Sequence, residues 1–164
     1  MSVSDRLRDV RALVMDIDGV LTDGTFTWSS DGAESKSYSF EDVMGLSRAR
    51  AAGISLALIS GEGGPLVDRL SKKIQAVFVV SDCKDKAQAL RKFSDASGIP
   101  LAHMVYIGDD VNDLETLALA GVSAAPANAQ PPVRESVAMV MDKAGGRGAV
   151  RQLVEIILAA RNSS

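Results

Sequence analysis

The sequence predicts an α/β protein: a Rossmann-like parallel sheet with helices on both faces. Three observations carry this. Short apolar runs alternate with helix-patterned segments along the 164 residues. Each run stops abruptly at a polar residue. Asp16, Ser60 and Asp109 each follow such a run, at the carboxyl ends of strands where α/β sheets gather their reactive groups.

In chain order, Arg11–Met15 is the first predicted strand, apolar throughout as a strand buried on both faces must be. Ile54–Ile59, Ala76–Val80 and His103–Ile107 repeat the pattern, and Gly121–Ala125 and Val137–Met141 give a shorter fifth and sixth. Helical patterns cover about Val43–Ala52 (closed by Gly53), Pro65–Lys73, Asp85–Ser97 (stopped by Gly98 and Pro100), Asn112–Leu119 and Ala149–Ala160. One segment breaks the alternation. Residues 24–40 read as two strand-forming runs around the turn Ser30-Asp31-Gly32, a β-hairpin insertion. No repeat or linker divides residues 1–164, so a single domain is expected.

Composition narrows the function. Eighteen basic against 21 acidic residues give a net charge of −3, too little positive charge for a nucleic-acid binder driven by phosphate neutralisation. The one cysteine, Cys83, makes neither an internal disulfide nor, alone, a zinc site. The charged opening lacks a signal-peptide core, and no apolar run approaches the roughly 20 residues of a membrane span. A cytoplasmic location is expected.

The strongest chemical signal is Asp16-Ile-Asp18-Gly-Val-Leu-Thr22. A spacing of two at a strand end turns both carboxylates to one side, and their repulsion calls for a cation or a proton between them. A hard, oxygen-seeking ion such as Mg²⁺ fits. A calcium loop does not, because Val20 and Leu21 stand where that loop needs a ligand and a glycine. Gly108-Asp109-Asp110-Val-Asn112-Asp113 is a second acidic cluster after another strand. Alone it reads as an acidic helix cap; paired with the first it resembles a metal cage. Ser60-Gly61 offers a hydroxyl and amides for an anionic oxygen, and Lys84 and Lys86 open a helix nearby. His103, at the start of a strand, reads as structural.

Taken in order, Asp16-x-Asp18, Ser60-Gly61, Lys86 and Gly108-Asp109-Asp110 resemble the four motifs of the haloacid dehalogenase superfamily of phosphatases, over nearly the whole chain. The first motif, the hairpin, the lack of a cap domain and Ala144-Gly-Gly-Arg-Gly148 resemble its small capless branch, which acts on phosphorylated 2-keto-3-deoxy sugar acids of eight or nine carbons. The resemblance implies an Mg²⁺-dependent phosphatase. Asp16 would be the nucleophile, Asp18 the general acid and base, Ser60 a phosphoryl hydrogen-bond donor and Lys86 the counter-charge. Mg²⁺ would sit on the Asp16 carboxylate, the Asp18 carbonyl and Asp109, with Asp110 acting directly or through water. Gly61, Glu62 and Lys73 would meet the substrate.

Two positions depart from the eight-carbon pattern: Glu62 stands in place of arginine, and Glu41-Asp42-Val-Met-Gly45 in place of Arg-Asp-Gly-x-Gly. Glu62 with Lys73 resembles the nine-carbon pattern instead. A receiver-type phosphoacceptor domain shares these residue types but places its adjacent acidic pair first. A catalytically silent regulatory module is the other alternative. The hairpin carries Phe26, Trp28, Tyr38 and Phe40, four of the chain's seven aromatic residues. A projecting ribbon cannot bury that load alone, so a homotetramer built through residues 24–40 is expected.

Overall fold

The computed structural model describes residues 1–163. Six parallel strands form one sheet: β1 (Ala12–Met15), β4 (Ser55–Ile59), β5 (Phe78–Val80), β6 (Met104–Ile107), β7 (Val122–Ala125) and β8 (Met139–Val140), in the order β5-β4-β1-β6-β7-β8. β2 (Thr27–Trp28) and β3 (Glu34–Ser35) pair antiparallel as a separate ribbon. The helices are α1 (Val3–Arg8), α2 (Phe40–Ala51), α3 (Pro65–Ile74), α4 (Lys86–Ser97), α5 (Leu114–Leu119), α6 (Pro131–Ser136) and α7 (Ala149–Asn162).

Strand alternation builds two cores. Leu13 and Met15 of β1, Leu56 and Leu58 of β4 and Val105 and Ile107 of β6 join α1, α2, α3 and α7 on one face. Ala12 and Val14, Ala57 and Ile59, and Met104 and Tyr106 join α4, α5 and α6 on the other. Both faces of the three central strands are therefore covered, which is why each reads as an unbroken apolar run. From β1 the chain builds outward to β4 and β5, then returns to β6 on β1's other side. Strand order thus reverses between β1 and β6, and a crevice opens beyond their carboxyl ends.

The sequence missed α1 and α6 and placed Phe40 in the hairpin. Phe40 instead opens α2, with Ser39 as its N-cap. Each hairpin strand shrinks to two residues because the ribbon has no second layer to pack on. Of its aromatics, Phe26 (51% exposed) and Trp28 (66%) face solvent, as does Phe40 (74%), whereas Tyr38 packs partly on the first core. His103 turns its Nδ1 to the Asp9 carbonyl, away from the crevice.

Candidate active site

A cleft of about 480 Å³ lies over the crevice, lined by Asp16, Asp18, Ser60, Gly61, Glu62, Lys84, Lys86, Asp109 and Asp110 among others. β1 delivers Asp16, β4 delivers Ser60 and β6 delivers Asp109, while α4 opens with Lys86. The chain can turn over Asp16 because Gly19 has φ +85°, and a Cβ there would collide with the Asp109 carboxylate. Asn128 ties this loop to the glycine-rich turn before α7: its amide donates to the Gly19 carbonyl at 3.0 Å, and its oxygen accepts from the Gly145 N–H at 2.6 Å.

The cleft floor is built on a buried charge cluster. Lys86 donates to Asp16 at 3.0 Å and to Asp113 at 2.8 Å. Burial alone would depress the Lys86 ammonium, but the Asp16 and Asp113 charges more than offset it and raise it. Asp113, fully buried, also accepts from the Tyr106 hydroxyl at 2.7 Å and from the Asp109 and Asp110 N–H groups. Neither Asp113 nor Tyr106 was singled out from sequence. The readable signal was the spacing Asp109-x-x-x-Asp113, which returns the second carboxylate to the strand end.

Asp16, Asp109 and Asp113 each present an oxygen within 4.8 Å of the others. Asp113 has its oxygens occupied by Lys86, Tyr106 and two amides, so Asp16 and Asp109 carry the free acceptor capacity. Burial, and then the Asp113 charge, push Asp16 up to about 6. Burial, and then the Asp16 charge, push Asp109 up to about 8. Two such carboxylates must share a proton or a cation, and an all-oxygen pair of this kind fits a hard divalent ion.

The structure places the remaining residues named from sequence in and around this cleft. Asp110 lines the cleft and accepts from the Val111 N–H at 2.7 Å through one oxygen, capping the short turn after β6. Asp18 also lines the cleft, and its carboxylate accepts from Lys36 of the hairpin at 2.9 and 3.0 Å. Lys73 does not reach the cleft. It lines a separate groove with Tyr38, Phe40, Val43, Arg69 and Leu70, because its position on α3 faces the start of α2. Glu62 stands at the cleft rim, exposed, with its N–H donating to the buried Ser60 hydroxyl at 3.1 Å.

The family profile of haloacid dehalogenase-like hydrolases matches residues 64–153. The chain is also 30% identical to the 3-deoxy-D-manno-octulosonate 8-phosphate phosphatase of Haemophilus influenzae, over 99% of this chain and 90% of that one. The chain belongs to the haloacid dehalogenase-like hydrolases. Solved members of the family superpose closely. The octulosonate phosphatase of Moraxella catarrhalis, solved with magnesium, phosphate and KDO, gives a TM-score of 0.94 at 34% identity, covering 97% of this chain and 91% of that one. The cobalt-bound enzyme of Haemophilus influenzae gives 0.92 at 31%, covering 97% and 93%. The chain is a phosphoric monoester hydrolase of this family, which sets aside the receiver and silent-module alternatives. No described helix is long and apolar enough to cross a membrane.

Proposed function

We propose that the protein is an Mg²⁺-dependent phosphatase for the phosphate monoester of a 2-keto-3-deoxy sugar acid, octulosonate 8-phosphate or nonulosonate 9-phosphate in type. The observation that carries the reading is the convergence of Asp16, Asp109 and Lys86 at the strand switch, beside Ser60. Relatives that act on, or are solved with, such a sugar acid support the substrate class.

Asp16 attacks phosphorus in line, and the bond from phosphorus to the sugar oxygen breaks as an aspartyl-phosphate forms. Asp18 gives its proton to the departing oxygen, then takes one from the water that hydrolyses the intermediate. Ser60 and the Gly61 amide hold a phosphoryl oxygen, and Lys86 orients Asp16 and offsets phosphate charge. Asp113 and Tyr106 hold Lys86 in place. Asp16, Asp109 and the Asp18 carbonyl would hold Mg²⁺. When bound, the ion neutralises the carboxylates and polarises the phosphoryl group. Glu62, at the rim, repels a carboxylate brought close to it and so bears on chain length. Residues 1–164 act as one capless cytoplasmic domain, and four copies join through the hairpin.

A phosphatase assay on the eight- and nine-carbon substrates tests this reading. Mg²⁺-dependent turnover is expected, abolished by EDTA and lowered more than about 100-fold by Asp16→Asn in a folded protein. Glu62→Arg should raise kcat/KM for the eight-carbon substrate relative to the nine-carbon one. Asp16→Asn with near-wild-type turnover would refute covalent catalysis by that residue, and an unchanged ratio would remove Glu62 from substrate choice.

A further inference from the structure

We propose that Lys36 is a positioning residue for the acid–base carboxylate, a hairpin side chain that pins Asp18 and affects the reaction only through it. The proposal rests on the role given above to Asp18. Lys36 falls in none of the four motifs. It follows β3 on a ribbon whose other large side chains, Phe26 and Trp28, are more than half exposed, yet its own side chain is only 8% exposed. Ordering a lysine costs more side-chain entropy than ordering almost any other residue, so one drawn inward from an exposed ribbon must be held by its partners. Those partners are both oxygens of Asp18, at 2.9 and 3.0 Å, with Glu34 more distant at 4.0 Å.

Asp18 has little else to hold it. Its side chain is 32% exposed, and its other hydrogen bond, from the Thr22 hydroxyl, is 3.5 Å long. An acid–base carboxylate must stay within hydrogen-bond reach first of the leaving oxygen and then of the attacking water, so a freely turning Asp18 would spend much of its time misaligned. One ammonium across both oxygens fixes the direction in which the carboxylate is held. Lys36 does this from outside the cleft: Asp18 lines the cavity and Lys36 does not. That placement separates it from a group that binds substrate.

The test is a double-mutant cycle on p-nitrophenyl phosphate with Mg²⁺, comparing wild type, Lys36→Met, Asp18→Asn and the double variant. Lys36→Met should lower kcat about tenfold or more with KM held within about twofold, and Lys36→Arg should recover most of the loss. In the Asp18→Asn background the same change should alter kcat by less than about twofold, because there is no longer an acid–base carboxylate to position. A raised KM with kcat intact would make Lys36 a substrate-binding group and overturn the proposal. So would an equal loss in both backgrounds, which marks a general structural effect. If Lys36→Met fails to fold, Lys36→Gln, which keeps a donor and most of the length, takes its place in the cycle. Failure of the Asp18 assignment shows separately, as undiminished turnover in Asp18→Asn alone.

Discussion

Asp16 and Asp109 make the site dependent on pH in a way that exposed aspartates would not. Their folded-state values, about 6 and about 8, lie above the ~4 of an aspartate in an unfolded chain. Between those limits the metal-free fold retains protons that the unfolded chain has released. Stability contributed by these groups is therefore greatest below about pH 4 and is lost as pH rises towards about 8. A divalent cation needs both carboxylates ionised, so its affinity climbs across the same window. With EDTA the protein should melt lower at about pH 8 than at about pH 5.5, and Mg²⁺ should raise the melting temperature more at the higher pH. Thermal melts at the two pH values decide this; a larger Mg²⁺ effect in acid would remove these carboxylates as the metal's ligands. Asp16 and Asp109 were legible in sequence because each stands at the end of an apolar run, Asp16 directly and Asp109 one glycine later. Asp113 was quoted in its motif but given no role, since its contacts with Lys86 and Tyr106 exist only once α4 and β6 are side by side. Lys36 was illegible for the same reason: its partner lies 18 residues away, across the hairpin.

The long apolar strands were readable because burial on both faces leaves no room for polar residues, whereas the short edge elements carry no such constraint. β8 keeps two residues at the sheet edge, and α1 and α6 have only six each. Their signals were local: a capping box between Ser2 and Asp5 for α1, and proline at the first turn of α6. One long-range cap could not be read at all. α7 begins at Gly148, which has no side chain to cap it, and the acceptor comes from α2 instead. Asp42, 1% exposed, accepts from the Arg151 N–H at 2.9 Å and the Gly148 N–H at 3.3 Å. This contact joins α2 to α7 and anchors the glycine-rich turn that Asn128 ties to the Asp16 loop. Asp42→Ala leaves those buried donors unpaired and should cost about 2 kcal/mol. Asp42→Asn, which keeps an acceptor, should cost less. Urea unfolding of the three proteins measures the difference; equal midpoints for wild type and Asp42→Ala would mean that the turn finds its acceptor elsewhere.

At the scale of the whole molecule, the sheet places the chemistry but does not enclose it. The cleft over β1, β4 and β6 is open, and the described chain has no second layer above it. The hairpin is the one element that projects, and its exposure runs against its composition. Phe26 and Trp28 pack with ring centroids 4.8 Å apart and planes tilted by 48°, and Trp28 also donates to Glu34 at 2.9 Å. The ribbon is thus internally ordered while its rings stay in water. Phe40 and Met44, at the start of α2, are exposed too, and Phe40 lines the groove that holds Lys73. Closed symmetry would resolve this, since copies packed hairpin to hairpin would bury the same rings on every subunit and leave no unmatched face. The prediction is a tetramer near four times the chain mass, measured by sedimentation equilibrium at micromolar concentration. Trp28→Glu should shift that mass towards dimer or monomer, because it sets a carboxylate among apolar rings and beside Glu34. A monomeric wild type would refute assembly, and a tetramer that survives Trp28→Glu would move the contact off the hairpin. Turnover adds a second reading. Lys36 leaves the same ribbon to reach Asp18, so a variant that loosens the ribbon should lose kcat as it loses mass, while one that only weakens the contact should keep it.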